Sequence, residues 1–101
     1  MDWLAEYRKK LCTPEEAVAR IPDGALVVQG NAVGEPPALL HAVAARAKGG
    51  GLRSLRMTSL LPMATSAATI LSEEVRGVIQ WESIFASGAD RKLLASGLKS
   101  I

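Results

Sequence analysis

Seven consecutive residues carry the strongest chemical signal in this chain: Gly30-Asn31-Ala32-Val33-Gly34-Glu35-Pro36. They follow a short apolar run, Ala25 to Gln29, and lead into a helical pattern opened by Pro36-Pro37. Glycines at both ends of the loop, Gly30 and Gly34, permit close backbone approach and positive φ angles. Its N–H groups, with those of the following helix start, can hold an anion or an oxyanion. Glu35 beside that start suits the helix dipole. The plainest alternative is a strand-to-helix turn with a capping acid. Two further carboxylates, Glu82 and Asp90, fall near a third apolar run and read as surface or capping groups.

Other chemistries find little support. The loop lacks the GxGxxG spacing of a dinucleotide site, and no acid between Pro36 and Ser72 is available to hold a ribose hydroxyl. No GxxxxGK[ST] occurs. Arg46, Lys48, Arg53 and Arg56 all lie in that acid-free stretch, but a solvated helix end and strand edge explain them more simply than a phosphate site. His41 is the single histidine, lies off the apolar stripe of its helix, and has no GxSxG serine to activate. With no paired His or Cys ligands, a metal site is not expected. Cys12 stands alone and reads as an ordinary packed thiol.

The elements that must position the loop alternate along the chain. Residues 1–22 form a helical lead-in. Asp2 caps a first helix with Trp3, Leu4, Tyr7 and Leu11 at helical spacing. Thr13-Pro14-Glu15-Glu16 is a capping box with proline at the first helical position, and Pro22 stops the helix it opens. Residues 24–101 then read as β/α units. The spacing predicts strands over Ala25–Gln29, Leu52–Leu61 and Val78–Ala86. It predicts helices over 36–47, Ser66–Leu71 and Ala89–Ala95, with a further strand starting at Leu98–Ile101. Leu40, Val43, Ala44 and Ala47 form the buried stripe of the long helix, which stops at Gly49-Gly50-Gly51. This order implies a parallel sheet with right-handed crossovers. Ligands of such sheets bind beyond the carboxyl ends of the strands, here at Gly30–Pro37, Leu61–Thr65 and Ala86–Asp90. The expected architecture is α/β, part of a larger domain cut at its last strand.

Composition sets outer bounds. The 101 residues are 49% hydrophobic and 22% charged, with a formal net charge of +2. Disorder needs the opposite balance, and so small a field does not suggest nucleic-acid binding. The acidic opening, Asp2 and Glu6, is unlike a secretory signal, and no apolar run approaches the roughly 18 residues of a spanning helix. A cytoplasmic protein without membrane partners is expected. A chain this short buries only about two-thirds of its unfolded surface, so its apolar excess calls for a partner or a continuation.

The opening Met1-Asp2-Trp3-Leu4-Ala5-Glu6-Tyr7-Arg8-Lys9-Lys10-Leu11, with Thr13-Pro14-Glu15-Glu16-Ala17-Val18, resembles the start of acetyl-CoA hydrolase/transferase proteins. That family includes 4-hydroxybutyrate and butyrate-type CoA-transferases. Gly30 to Pro36, followed by Leu39-Leu40 and Ala44-Ala45-Arg46, is similar to the family's first glycine loop and helix. Leu60-Leu61-Pro62 and the stretch Phe85 to Lys92, with Gly88 and Arg91, are similar in position. The resemblance implies CoA transfer between a short-chain acyl thioester and a carboxylate, or hydrolysis of the thioester. In such enzymes a glutamate attacks the acyl-CoA, giving an anhydride and then a glutamyl-CoA thioester. The loop Gly30–Pro36 would support the oxyanion.

The implied partners are an acyl-CoA substrate, a carboxylate, and a missing C-terminal half or homo-oligomer mate, with no covalently bound cofactor. The family's nucleophilic glutamate and main CoA-binding segment lie in the C-terminal half, outside these 101 residues. Glu35 matches the first-loop acid and is not that nucleophile. The isolated chain is therefore expected to be inactive. The alternative is a stand-alone, non-catalytic α/β binding module.

Overall fold

The computed structural model describes residues 2–85 together with Gly88, Arg91 and Ala95. The helix expected over Ala89–Ala95 (apart from Arg91 and Ala95), the strand start at Leu98–Ile101 and the carboxylate Asp90 lie outside the described residues.

Helix α1 spans Trp3–Lys10. Asp2 caps it by accepting the Ala5 N–H at 3.1 Å, and Lys10 pairs with Glu6 at 3.2 Å. Arg8, Lys9 and Lys10 place positive charge at the carboxyl end, where the helix dipole favours it. Helix α2 spans Pro14–Val18. Thr13 Oγ1 accepts the Glu16 N–H at 3.1 Å and donates to Glu16 Oε1 at 3.2 Å. This helix stops well before Pro22. Arg20 and Ile21 tighten into turns on the Ala17 and Val18 carbonyls. Arg46 Nη1, reaching over from the next helix, donates to Val18 O at 2.8 Å and Ile21 O at 2.7 Å. The carbonyls at and just past the helix end thereby gain a charged donor.

The three strands are β1 (Leu26–Val28), β2 (Leu55–Leu60) and β3 (Ile79–Phe85), parallel and in the order β1-β2-β3. Val27 stands beside Met57 and Met57 beside Trp81; one residue on, Val28 stands beside Thr58 and Thr58 beside Glu82. β1 and β2 are shorter than the apolar runs that announce them. The approach to β2 is spent on a turn: Asp23 Oδ1 accepts the Arg53 N–H at 2.7 Å, and Gly24 donates to Ser54 O at 2.8 Å.

Helix α3 (Pro37–Lys48) joins β1 to β2. Its stripe of Leu40, Val43, Ala44 and Ala47 is buried as the periodicity predicts, and Gly50 takes the left-handed φ of 80° just beyond its end. These residues pack with Leu55, Met57, Ile79 and Trp81 from the sheet and with Ile70, Leu71 and Val75. Each fully buried aliphatic side chain contributes roughly 1.5–3 kcal/mol. Helix α4 spans Ala64–Ala68, not Ser66–Leu71. Thr69 ends it by turning its Oγ1 back to Thr65 O at 2.6 Å, a competitor to helical continuation. Ile70 and Leu71 are buried from a turn instead. A 3₁₀ turn at Glu73–Val75 leads into β3.

Alternation along β2 is strict. Leu55, Met57 and Ser59 are buried, whereas Arg56 is exposed and Thr58 and Leu60 are half-buried. One face of the sheet is covered, and the other is bare among the described residues.

Candidate functional site

Two of the three expected loops meet at the carboxyl edge of the sheet; the third, Ala86–Asp90, falls outside the described residues except for Gly88. After β1, Ala32–Gly34 forms a 3₁₀ turn within the Gly30–Pro36 loop. After β2, Leu61, Pro62 and Met63 lead directly into α4, so this loop is shorter than Leu61–Thr65.

Side chains tie the two loops together. Asn31 Oδ1 accepts the Leu60 N–H at 3.0 Å and lies 3.3 Å from the Ser59 hydroxyl. Glu35 is buried, and its Oε2 accepts the Met63 N–H at 2.9 Å and the Ser66 hydroxyl. Gln29, also buried, donates from Nε2 to Ser66 Oγ at 3.0 Å and to Glu35 Oε2 at 3.5 Å. Facing a carboxylate, the Gln29 amide must present its NH₂ group there. Its Oε1 is consequently buried without a partner among the described residues.

This arrangement corrects the expectation for Glu35. It makes no capping bond to α3, whose N-cap residue is Pro36; its carboxylate turns inward to the start of α4. With three donors around Oε2, it is a structural tie and not a free nucleophile. Gln29 and Ser66, the other members of the tie, were not singled out by sequence. The one available signal was a polar Gln closing an otherwise apolar strand run.

The loop glycines meet the expectation of close approach at Gly30 but not that of positive φ angles. Gly30 is required by close approach, since a Cβ there would fall on the Gly34 carbonyl. Gly34 has open space around it. Neither takes a positive φ; Ala32 (46°) and Leu61 (53°) do. Non-glycine residues in that region cost on the order of 1–3 kcal/mol each. Both lie just past a strand end, so the strain is concentrated at this edge. Asn31, Ala32 and Val33 donate their N–H groups to no acceptor among the described residues, as befits the first amides of a 3₁₀ turn. Val33 itself is 94% exposed.

The remaining candidates do not converge on the loop. Lys48 pairs with Glu74 at 3.3 Å, and Arg46 is committed to the α2 carbonyls. Arg56 pairs with Glu82 at 2.6 Å on the bare face, which raises the guanidinium pKa through their hydrogen bond. Asp23 is held below the usual carboxylate range chiefly by the Arg53 N–H. His41 is exposed and Cys12 half-buried, while Trp81 is a core residue. Among the described residues, no three His, Cys, Asp or Glu side chains are grouped to hold a metal, and no helix is long and apolar enough to cross a membrane.

Two cavities flank the sheet. One, of about 280 Å³, runs beside the outer edge of β1 and is lined by Ala17, Ile21, Val28, Leu39 and Val43, reaching Gly30 and Pro36. No charged side chain lines it. The other, of about 520 Å³, opens between Gly24, Ser54, Arg56 and Gly77, near the amino ends of β2 and β3 and away from the loop. Chemically, among the described residues, the carboxyl edge offers backbone donors and no free base. It can position an anion or carbonyl oxygen for a reaction whose reactive group comes from elsewhere.

The family model of the acetyl-CoA hydrolase/transferase N-terminal domain matches residues 1–100. The crystal structure of RipA from Yersinia pestis is 35% identical with a TM-score of 0.94, over all of this chain and 25% of that one. A glutamate-to-alanine mutant of RipA is 39% identical with a TM-score of 0.92, over 96% of this chain and 22% of that one. The chain thus spans about a quarter of the length of these solved structures. No curated protein matches it.

Proposed function

The chain belongs to the acetyl-CoA hydrolase/transferase family, and from that premise we propose that it supplies the first substrate loop of an enzyme acting on short-chain acyl-CoA thioesters. The reaction is CoA transfer to a carboxylate or thioester hydrolysis. The observation that carries this reading is the Gly30–Pro36 loop. Its Asn31, Ala32 and Val33 amides are unengaged, while Asn31 and Glu35 side chains pin it from behind. Preorganised donors of this kind stabilise an oxyanion as charge develops on a thioester or carboxylate oxygen. Coenzyme A enters as the thioester substrate, with no covalently held cofactor, and the setting is cytoplasmic.

The chain alone is inactive in this reading. Among the described residues, Glu35 is consumed by its three donors and Glu82 by Arg56, so the loop has no free carboxylate beside it. The attacking glutamate belongs to a C-terminal half of the kind that makes up the remaining length of RipA-sized chains. An exchange assay between acetyl-CoA and a labelled short-chain carboxylate tests this directly. No turnover is expected from the 101-residue chain, together with amide chemical-shift changes at Asn31–Val33 on adding the acyl-CoA. Turnover would place the nucleophile within this chain. Absence of any shift at the loop would favour the second reading, a non-catalytic binding module, which the uncovered apolar stripe of α1 supports.

A further inference from the structure

The two left-handed residues at the carboxyl edge sit inside one closed frame. Ala32 lies between Asn31 and Glu35 on the loop after β1, and Leu61 lies between Leu60 and Met63 after β2. Two hydrogen bonds cross between these loops. The Leu60 N–H donates to Asn31 Oδ1 at 3.0 Å on one flank, and the Met63 N–H donates to Glu35 Oε2 at 2.9 Å on the other. Each strained residue is thus bracketed by the same pair of cross-links. Within the first loop, the Gly34 N–H returns to Asn31 O at 2.7 Å and the Glu35 N–H to Ala32 O at 3.1 Å. Non-glycine residues persist at such φ angles where their surroundings over-determine them, and strain of this kind collects at binding sites.

The two anchors of the frame differ. Asn31 is exposed, whereas Glu35 is buried and gathers three donors on one oxygen: the Met63 N–H, the Ser66 hydroxyl and the Gln29 amide. Gln29 directly follows β1 and Ser66 belongs to α4. One carboxylate therefore joins the loop to the strand before it and to the helix after the next strand. We infer that Glu35 is a positioning residue: by closing the frame it keeps Ala32 and Leu61 left-handed, and so holds the Asn31, Ala32 and Val33 amides where they bind an acyl oxygen. The assignment rests on the proposed function and adds to it the residue that sets the loop's affinity. Donors fixed in advance bind an oxygen more tightly than donors that must be ordered on binding. What position 35 requires is an acceptor of the right reach, and a carboxamide oxygen in the place of Oε2 can supply it.

Titration of the 101-residue chain with acetyl-CoA, followed through its amide resonances, tests the assignment. Glu35→Ala is expected to bind about tenfold or more weakly, and the scalar couplings that report φ at Ala32 and Leu61 are expected to leave their left-handed values. Glu35→Gln is expected to stay within about threefold of the parent chain. Glu35→Asp keeps the charge but falls one methylene short, so it should bind with intermediate affinity; it carries the test if Glu35→Ala does not fold. Thr13→Ala, which removes the α2 cap far from the loop, should lower stability and leave the affinity unchanged. If the parent chain shows no shift at Asn31–Val33, the proposed function falls and this assignment with it. If the parent chain binds and Glu35→Ala or Glu35→Asp binds equally well, only the assignment falls. Weakened binding with unchanged couplings at Ala32 and Leu61 also overturns it, as does an equal loss in Glu35→Gln or in Thr13→Ala.

Discussion

Across the middle of the sheet run two adjacent rows of side chains. Val27, Met57 and Trp81 share one row and face the helical layer; Val28, Thr58 and Glu82 share the next and face outward. The first row is the floor of the core, with Met57 and Trp81 each 1% exposed. The second mixes apolar Val28 with polar Thr58 and Glu82. Val28 is 69% exposed, Glu82 pairs with Arg56, and Thr58 Oγ1 donates to the Glu82 carbonyl at 2.6 Å. Parallel sheets are normally covered on both faces. The difference teaches that the packing energy sits on one side, while the other side sustains itself through hydrogen bonds and a surface ion pair. Under the proposed function, the bare row is where a longer chain lays its next layer.

The largest effect that could break this comparison is at Trp81. Trp81→Ala should cost about 3–5 kcal/mol by leaving a core cavity, measured by urea unfolding. Arg56→Met, which removes the partner of Glu82 on the outward face, should cost less, about 1–3 kcal/mol, because it leaves a largely covered carboxylate unpaired. Equal losses would mean that the two faces are equivalent. Next in size is the tie at the carboxyl edge. Glu35→Ala strands the Met63 N–H and the Ser66 hydroxyl and should cost about 2–3 kcal/mol. Glu35→Gln keeps an acceptor and should lose less.

Gly30→Ala should be comparable, about 1–3 kcal/mol or more, because the clash is with backbone. The new methyl pushes on the Gly34 carbonyl, so the clearest readout is a set of amide shifts confined to residues 31–34. The smallest effect concerns Asp23. Its carboxylate is favoured in the fold, so the folded state binds fewer protons there than the unfolded chain near its ordinary pKa of 3.8. Its contribution is present above that value and is lost as pH falls through the depressed one. Asp23→Asn retains an acceptor for the Arg53 N–H, so it should change stability little at pH 7 and flatten its decline below about pH 4.

Much of this architecture is legible in the residues. The caps at Asp2 and Thr13, the stripe from Leu40 to Ala47 and the glycine stop after Lys48 all act locally, and local chemistry suffices to place them. The parallel sheet follows from the alternation of strands with helices. The site was harder to read. The tie of Gln29, Glu35, Met63 and Ser66 joins residues up to 37 positions apart, and no local pattern marks a Ser in an alanine-rich segment as the partner of a distant acid. The positive φ angles fell on Ala32 and Leu61, because tertiary constraints rather than intrinsic freedom decide where strain is kept. The start of α4 was misplaced because a five-residue helix carries less than two turns of periodicity.

The clamp of Arg46 on the carbonyls of Val18 and Ile21 has a consequence for the order of assembly. Five residues are too few for α2 to hold together alone, and its end is secured by a side chain 28 and 25 positions downstream. Helix α3 must therefore be in place before α2 gains its closing bonds. Synthesised before α3, helix α2 settles only after that later segment has come to meet it.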